Sequence, residues 1–130
     1  MNVGRVLGET GLDSAELRAA IYPILPEDLS LKPASAAMMR IWGMDVQAVT
    51  INKWIFVDPR ILTSDKLKLA RLTIHELIHA RQFHELGVPR FLWRYAAEYI
   101  QGRRSGLSHR EAYMEIGYEV EARDLQARLT

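Results

Sequence analysis

The feature that most constrains the fold is one long amphipathic stretch near the middle of the chain. Ser64 and Asp65 precede it and are typical of a helix N-terminus, whereas Gly87 and then Pro89 follow it and are typical of a helix end. The pattern predicts a helix over roughly residues 64–86. At about 100° per residue, one face of this helix is predicted to be its core side, formed by Leu67, Ala70, Ile74, Leu77 and Ile78. Because this face must be covered, the rest of the chain is expected to pack around the helix.

Runs of β-branched and aromatic residues upstream of this helix predict a small sheet. The runs are "MMRIW", "VQAVTI" and "WIFVDP", separated by turn residues. They predict a three-stranded antiparallel meander in which Asn52-Lys53 forms a tight hairpin turn. The preceding segment "PILPEDLSLKPAS" contains three prolines and predicts an extended connection.

Three further helices complete the predicted fold, which belongs to the α+β class. The first is expected to begin at Asp13 and to end before Pro23. The second covers "PRFLWRYAAEYIQ" and ends near Gly102. The third begins at Ser108, which has the spacing of a capping box, and extends to about Leu129.

Composition and charge exclude several classes of protein. The chain has 130 residues, the size of one domain, and its formal net charge is only +1, which predicts neither nucleic acid nor a membrane as partner. It has no cysteine, so any transition metal must be held by His, Asp or Glu. No signal peptide and no apolar run long enough to span a membrane are recognised, and a cytoplasmic protein is expected.

Two histidines one turn apart on the long helix predict a metal site. His75 and His79 would have Cβ atoms roughly 5–6 Å apart, which lets two neutral imidazoles hold one Zn²⁺. Glu76 points about 100° further around the helix, so it need not be a ligand. It is predicted to take a proton from a water on the metal, as a general base. The alternative is that both histidines are ordinary hydrogen-bonded residues of a helix.

A third ligand must come from elsewhere in the chain. His84 would point about 140° away from His79, and His109 follows a helix cap, so both are expected to be surface residues. The last predicted helix offers Glu119 and Glu121, and a connecting helix and loop are long enough to bring it back against the first. The spacing alone leaves the choice between these two glutamates open.

The pattern of these residues resembles a known class of enzyme. His75-Glu76-x-x-His79, followed on a later helix by Glu119-Val120-Glu121-Ala122, resembles the gluzincin clan of zinc metallopeptidases, and the compact layout resembles the small minigluzincins. The resemblance implies a zincin-like fold, with a small antiparallel sheet, an active-site helix and a glutamate helix. It implies Zn²⁺ held by His75, His79 and Glu119, with Glu121 as the alternative ligand, and Glu76 as the catalytic base.

The resemblance also identifies a departure from the clan. Arg123 stands where an aspartate normally orients one of the histidines, and Asp124 or a backbone carbonyl would have to replace it. A transition-state donor is expected among Tyr95, Tyr99, Tyr113 and Tyr118, without a choice between them. No other cofactor-binding residue is predicted.

The predicted function is hydrolysis of peptide bonds in a peptide or protein substrate. One domain would span 1–130, with an N-terminal helix and extended arm over 1–36 and a catalytic core over 37–130. An extended substrate is expected to add to the edge strand of the sheet. The alternative is a zincin-fold domain without activity, which binds metal or another protein, or a latent enzyme whose arm 23–33 covers the cleft. The oligomeric state is left open.

Overall fold

The long helix predicted from the sequence is the centre of the fold. In the computed structural model, which describes residues 1–42, 47–51 and 53–130, this helix spans Lys66–Leu86. Asp65 rather than Ser64 is its N-cap and accepts a hydrogen bond from the Leu67 amide, and Gly87 ends it with a φ of 84°. Four of the five predicted core side chains are buried, whereas Leu67 is 37% exposed because it lies in the first turn.

Helices and strands alternate irregularly along the described chain. Numbered in chain order, the helices are α1 (Val3–Glu9), α2 (Ala15–Ile21), α3 (Ala36–Trp42), α4 (Pro59–Leu62), α5 (Lys66–Leu86), α6 (Val88–Arg104), α7 (His109–Met114) and α8 (Gly117–Leu129), and the strands are β1 (Ser30–Pro33), β2 (Ala48–Ile51) and β3 (Trp54–Val57). The fold is therefore α+β, as predicted, with helices in the majority. Among the described residues, no helix is both long enough and apolar enough to cross a membrane.

The sheet has three strands, but the predicted antiparallel meander is wrong. The strand order is β1-β3-β2, in which β1 is parallel to β3 and β2 is antiparallel to it. The predicted first strand, "MMRIW", is instead part of α3. Ser35 accepts a hydrogen bond from the Met38 amide at the start of this helix, and Ala36, Ala37 and Met38 are strong helix formers.

The third strand comes from the proline-rich arm. β1 follows a short 3-10 turn at Pro26–Asp28 and pairs with β3 in a register that places Leu31 beside Ile55. A parallel pair needs a crossover connection, and α3 lies within it. The hairpin between β2 and β3 joins Ile51 to Trp54 through two residues, of which Asn52 lies outside the described part of the chain.

The core lies between the sheet, the N-terminal helices and α5. Its fully buried side chains include Leu7 of α1, Leu17 of α2, Ile55 of β3 and Ile74 of α5, all in one continuous cluster. Residues 1–36 therefore contribute to the same core as the rest of the chain.

The last predicted helix is two helices. α7 ends at Met114 and α8 begins at Gly117, and the capping box predicted at Ser108 is present at the start of α7. α6 continues through Gly102, where an added Cβ would lie 3.1 Å from the Cβ of Ala112, so the glycine lets α6 and α7 pack closely. The break before Gly117 turns α8 back onto α5 and places Glu119 in its first turn.

Candidate metal centre

Three predicted ligands from two helices converge at one point. Nε2 of His75 lies 3.2 Å from Nε2 of His79 on α5. The carboxylate of Glu119, on α8, reaches both rings: Oε2 is 3.1 Å from Nε2 of His75, and Oε1 is 3.0 Å from Nε2 of His79. The three side chains are only 13%, 9% and 5% exposed in that order. The structure therefore brings together residues that are 44 positions apart in sequence.

The other nitrogen of each histidine is held by a glutamine. Nδ1 of His79 lies 2.8 Å from the side-chain oxygen of Gln82, and Nδ1 of His75 lies 3.1 Å from that of Gln126. An amide oxygen only accepts hydrogen bonds, so each Nδ1 is the donor. Each ring is thereby fixed in the tautomer that leaves the Nε2 lone pair directed at Glu119.

This donor set fits a metal ion. Lone pairs of two imidazoles and a carboxylate at 3.0–3.2 Å repel one another unless a proton or a metal ion lies among them. Around a tetrahedral zinc with bonds of about 2.0–2.1 Å, neighbouring ligand atoms are separated by roughly 3.3 Å. Ligand atoms of His75, Glu76 and His79 also all lie within 4.8 Å of one another, so this group could hold a metal ion.

In the metal-free protein, the surroundings of His79 favour a proton on its ring. Burial opposes a charge on the ring of His79, but the hydrogen bond with Glu119 and the charges of Glu76 and Glu119 outweigh it and raise the pKa of His79 to about 9. For Glu119, burial would raise the pKa, but the hydrogen bonds with His75 and His79 dominate and hold it well below its usual range. Glu119 is therefore a carboxylate at neutral pH, the form that binds a metal.

The predicted base, Glu76, lies beside the ligands, and a residue of the sheet forms a hydrogen bond with its side chain. Its Oε2 accepts a hydrogen bond of 2.9 Å from the hydroxyl of Thr50 on β2. The side chain is buried, and burial raises the pKa of Glu76, although the charges of the two histidines and the bond from Thr50 act in the opposite direction. A raised pKa makes a carboxylate a stronger proton acceptor, as a general base requires.

The two candidate glutamates of α8 have different neighbours. The carboxylate of Glu121 is bound by Arg81 and by the side-chain nitrogen of Gln82, and the residue is exposed. Only Glu119 contacts the histidines. His84 and His109 are exposed, as predicted, and His109 lies 2.6 Å from the hydroxyl of Tyr99.

Sequence reasoning missed the residues that orient the histidines. Arg123 bonds the carbonyl oxygen and the sulfur of Met114, and the predicted substitute, Asp124, is exposed. Gln82 and Gln126 take that role instead. Gln82 lies three residues after His79 on the same helix, a spacing at which side chains meet, so the sequence did contain a signal for it.

Two of the four candidate tyrosines are at the site. The hydroxyl of Tyr95 donates to Oε1 of Glu119 at 3.0 Å. Burial, together with the charge of Glu119, raises the pKa of both Tyr95 and Tyr113. Both are therefore neutral phenols that can donate a hydrogen bond. Tyr118 instead stacks on Phe91.

An open cleft gives access to the site. Its volume is about 850 Å³, and His75, Glu76 and Tyr113 line it together with Ala48 of the edge strand β2. No residue of the arm 23–33 is among its lining residues, because Ser30–Pro33 form β1 at the opposite edge of the sheet from β2. The last four residues of the arm predicted to cover the cleft in a latent enzyme, Ser30–Pro33, thus belong to the sheet.

Comparisons with protein-family models, with curated proteins and with solved structures find no match to this chain. No family, relative or structural neighbour therefore contributes to the function proposed below. That function depends on the residues and distances of the site itself.

Proposed function

We propose that the chain is a zinc-dependent metallopeptidase with a zincin-like fold. The observation that supports this function is the convergence of the Nε2 atoms of His75 and His79 on the carboxylate of Glu119. A second carboxylate, that of Glu76, lies beside them and is hydrogen-bonded to Thr50. Two histidines and a glutamate are a donor set typical of catalytic zinc, which keeps one position open. Glu76 has a different partner, Thr50, and is free for a different role.

The chain's own residues supply the proton transfers and the orientation. Zn²⁺ held by His75, His79 and Glu119 would polarise a peptide carbonyl and make water acidic enough to react at neutral pH. Thr50 occupies Oε2 of Glu76, which leaves Oε1 to receive the proton of the attacking water. The same oxygen then delivers this proton to the leaving amine, and the raised pKa of Glu76 favours the first of these transfers, in which it accepts the proton.

Two further groups in the cleft serve the substrate. Tyr113 lines the cleft, and its phenol remains protonated, so it can donate to the oxyanion that forms during attack, whereas the hydroxyl of Tyr95 already donates to Glu119. The strand β2 lies at the edge of the sheet and contributes Ala48 to the cleft. An extended peptide would bind along this edge through backbone hydrogen bonds.

The test compares cleavage of a mixture of unstructured peptides by the zinc-loaded protein and by its Glu76→Gln variant. We expect the variant to retain its metal and to cleave about 10²–10⁴-fold more slowly, because only the proton acceptor is lost. Glu115→Gln is the matched control, since Glu115 is exposed after the end of α7 and does not line the cleft; it should cleave at the wild-type rate. Equal cleavage by the wild type and Glu76→Gln, or none by either, would remove the proposed function.

A further inference from the structure

The rim of the cleft carries an excess of positive charge. Among the described residues, Lys68, Arg71, Arg110 and Arg123 line it, and Asp65 is the one acidic residue that lines it besides the site residue Glu76. The whole chain has 17 basic and 16 acidic residues, so its net charge does not account for this excess. Among the described residues that line the cleft, basic side chains therefore outnumber acidic ones.

These cations are free to bind a ligand. Lys68, Arg71 and Arg110 are exposed, and within the described part of the chain none of them forms an ion pair. Elsewhere the described arginines commonly have acidic partners, as Arg18 and Arg81 do. Among the described residues, the guanidinium of Arg123 bonds Met114, which has no charge, and no acidic side chain.

Two of the cations lie in a line with the metal centre. Arg71 and Lys68 are four and seven residues before His75 on α5, so they share its side of the helix. At 1.5 Å per residue they lie roughly 6 and 10 Å along the helix from it. An extended peptide rises about 3.3 Å per residue, so these distances correspond to about two and three residues.

We propose that the cleft binds acidic peptide segments, with Asp or Glu side chains two to three residues from the position opposite the metal centre. The inference deepens the proposed function, because it names the substrate class of the same site. Basic groups at the rim attract carboxylates during approach and fix the register of the bound chain. A peptide fits better than another polyanion, because the edge strand β2 also lines the cleft and can pair with a backbone.

The experiment measures binding by fluorescence anisotropy, with the Glu76→Gln protein so that nothing is cleaved. Three labelled peptides share one sequence except at two adjacent positions, which are Glu, Gln or Lys. We expect the Glu peptide to bind about tenfold more tightly than the Gln peptide at low salt, the Lys peptide to bind most weakly, and the difference to shrink at high salt. Adding Lys68→Glu and Arg71→Glu should reverse the order of the Glu and Lys peptides.

The matched control adds Arg90→Glu and Arg104→Glu, two exposed arginines of α6 that do not line the cleft. This control should keep the preference for the Glu peptide. Equal binding of the three peptides, an equal effect of the control, or tighter binding of a single-stranded oligonucleotide would overturn the inference. Cleavage by the wild-type protein is measured in parallel. Tighter binding of the Glu peptide without any cleavage would contradict the proposed peptidase activity but not this inference. Cleavage without tighter binding of the Glu peptide would contradict this inference but not the peptidase activity.

Discussion

The side-chain oxygen of Gln82 lies 2.8 Å from Nδ1 of His79, and both residues are buried on α5. The nitrogen of the same amide donates to the carbonyl oxygen of Tyr118 on α8 at 3.1 Å. Conversely, the side-chain oxygen of Gln126 on α8 accepts a hydrogen bond from Nδ1 of His75 on α5. Each helix therefore orients a histidine, and the pair of glutamines fixes the position of α8, which contributes Glu119, relative to α5.

Replacing Gln82 with leucine is expected to weaken metal binding without unfolding the protein. Gln82→Leu removes the acceptor that fixes the tautomer of His79, and loss of such a partner typically lowers metal affinity by about 10–100-fold. Competition with a chromophoric chelator measures the affinity, and circular dichroism checks the helix content. Gln101→Leu, on the exposed side of α6, is the control and should bind metal as the wild type does. Unchanged metal affinity in Gln82→Leu would mean that the side chain of Gln82 contributes only to packing.

Two glutamates of α8 provide a sharper test of the ligand set. Glu119 and Glu121 lie two residues apart on the same helix, but only Glu119 contacts both histidines. We expect about one metal ion per chain in the wild type and in Glu121→Gln, and far less than one in Glu119→Gln and His79→Ala. Elemental analysis after removal of free metal gives the stoichiometry. Retention of the metal in Glu119→Gln would contradict the proposed ligand set.

The part of the site on α5 could be predicted from the sequence because it is local. His75 and His79 meet whenever this segment is helical, and the caps at Asp65 and Gly87 were sufficient to predict the helix. Glu76 follows from the same geometry, but its partner Thr50 depends on how the sheet packs against the helix.

Glu119 was harder to choose because its position depends on tertiary packing. The buried residues of α8 are Glu119, Ala122 and Leu129. Gln126 follows Glu119 by seven residues and precedes Leu129 by three, and residues at these spacings share a helix face. A periodicity count over the helix would therefore have favoured Glu119 over Glu121, although it could not have located the histidines opposite it.

The sheet was predicted wrongly because β1 has no local signature. Ser30–Pro33 is four residues long and ends in proline, so it resembles a connection rather than a strand. It is a strand only because β3, more than twenty residues later in the sequence, supplies its hydrogen-bonding partner. Pairing at this sequence separation cannot be derived from composition or alternation.

The bond between Thr50 and Glu76 predicts a shift in the pH dependence of cleavage. Burial raises the pKa of Glu76, and the hydroxyl of Thr50 lowers it by stabilising the carboxylate. Thr50→Val keeps the shape of the side chain but removes this donor, so the pKa should rise further. A general base must be ionised, and the acid limb of kcat/KM should therefore move to higher pH while the plateau is largely kept.

The control for this shift is Thr73→Val. Thr73 is a buried residue of α5 whose hydroxyl bonds the carbonyl oxygen of Leu69, away from Glu76. Its pH profile should match that of the wild type. Coincident acid limbs for the wild type and Thr50→Val would show that the hydroxyl does not affect the ionisation of Glu76.

The proton that His79 shares with Glu119 predicts how the stability of the metal-free protein depends on pH. Against the effect of burial, Glu119 and Glu76 raise the pKa of His79 to about 9 in the folded chain. An unfolded histidine has a pKa of about 6.5. Because the folded value is the higher one, the stabilisation from this group is complete below about pH 6.5 and is lost as the pH rises through about 9.

Bound metal is expected to abolish this loss, because it binds the deprotonated ring and its affinity increases as protons leave. Urea unfolding of the chelator-treated protein should therefore give a lower midpoint at about pH 9.5 than at about pH 6, while the zinc-loaded protein keeps its midpoint. Glu119→Gln, treated with chelator, removes the main partner of His79 and should flatten the profile over the same interval. A midpoint that stays constant or rises with pH in the metal-free wild type would mean that His79 is neutral throughout, and that Glu119 does not share a proton with it.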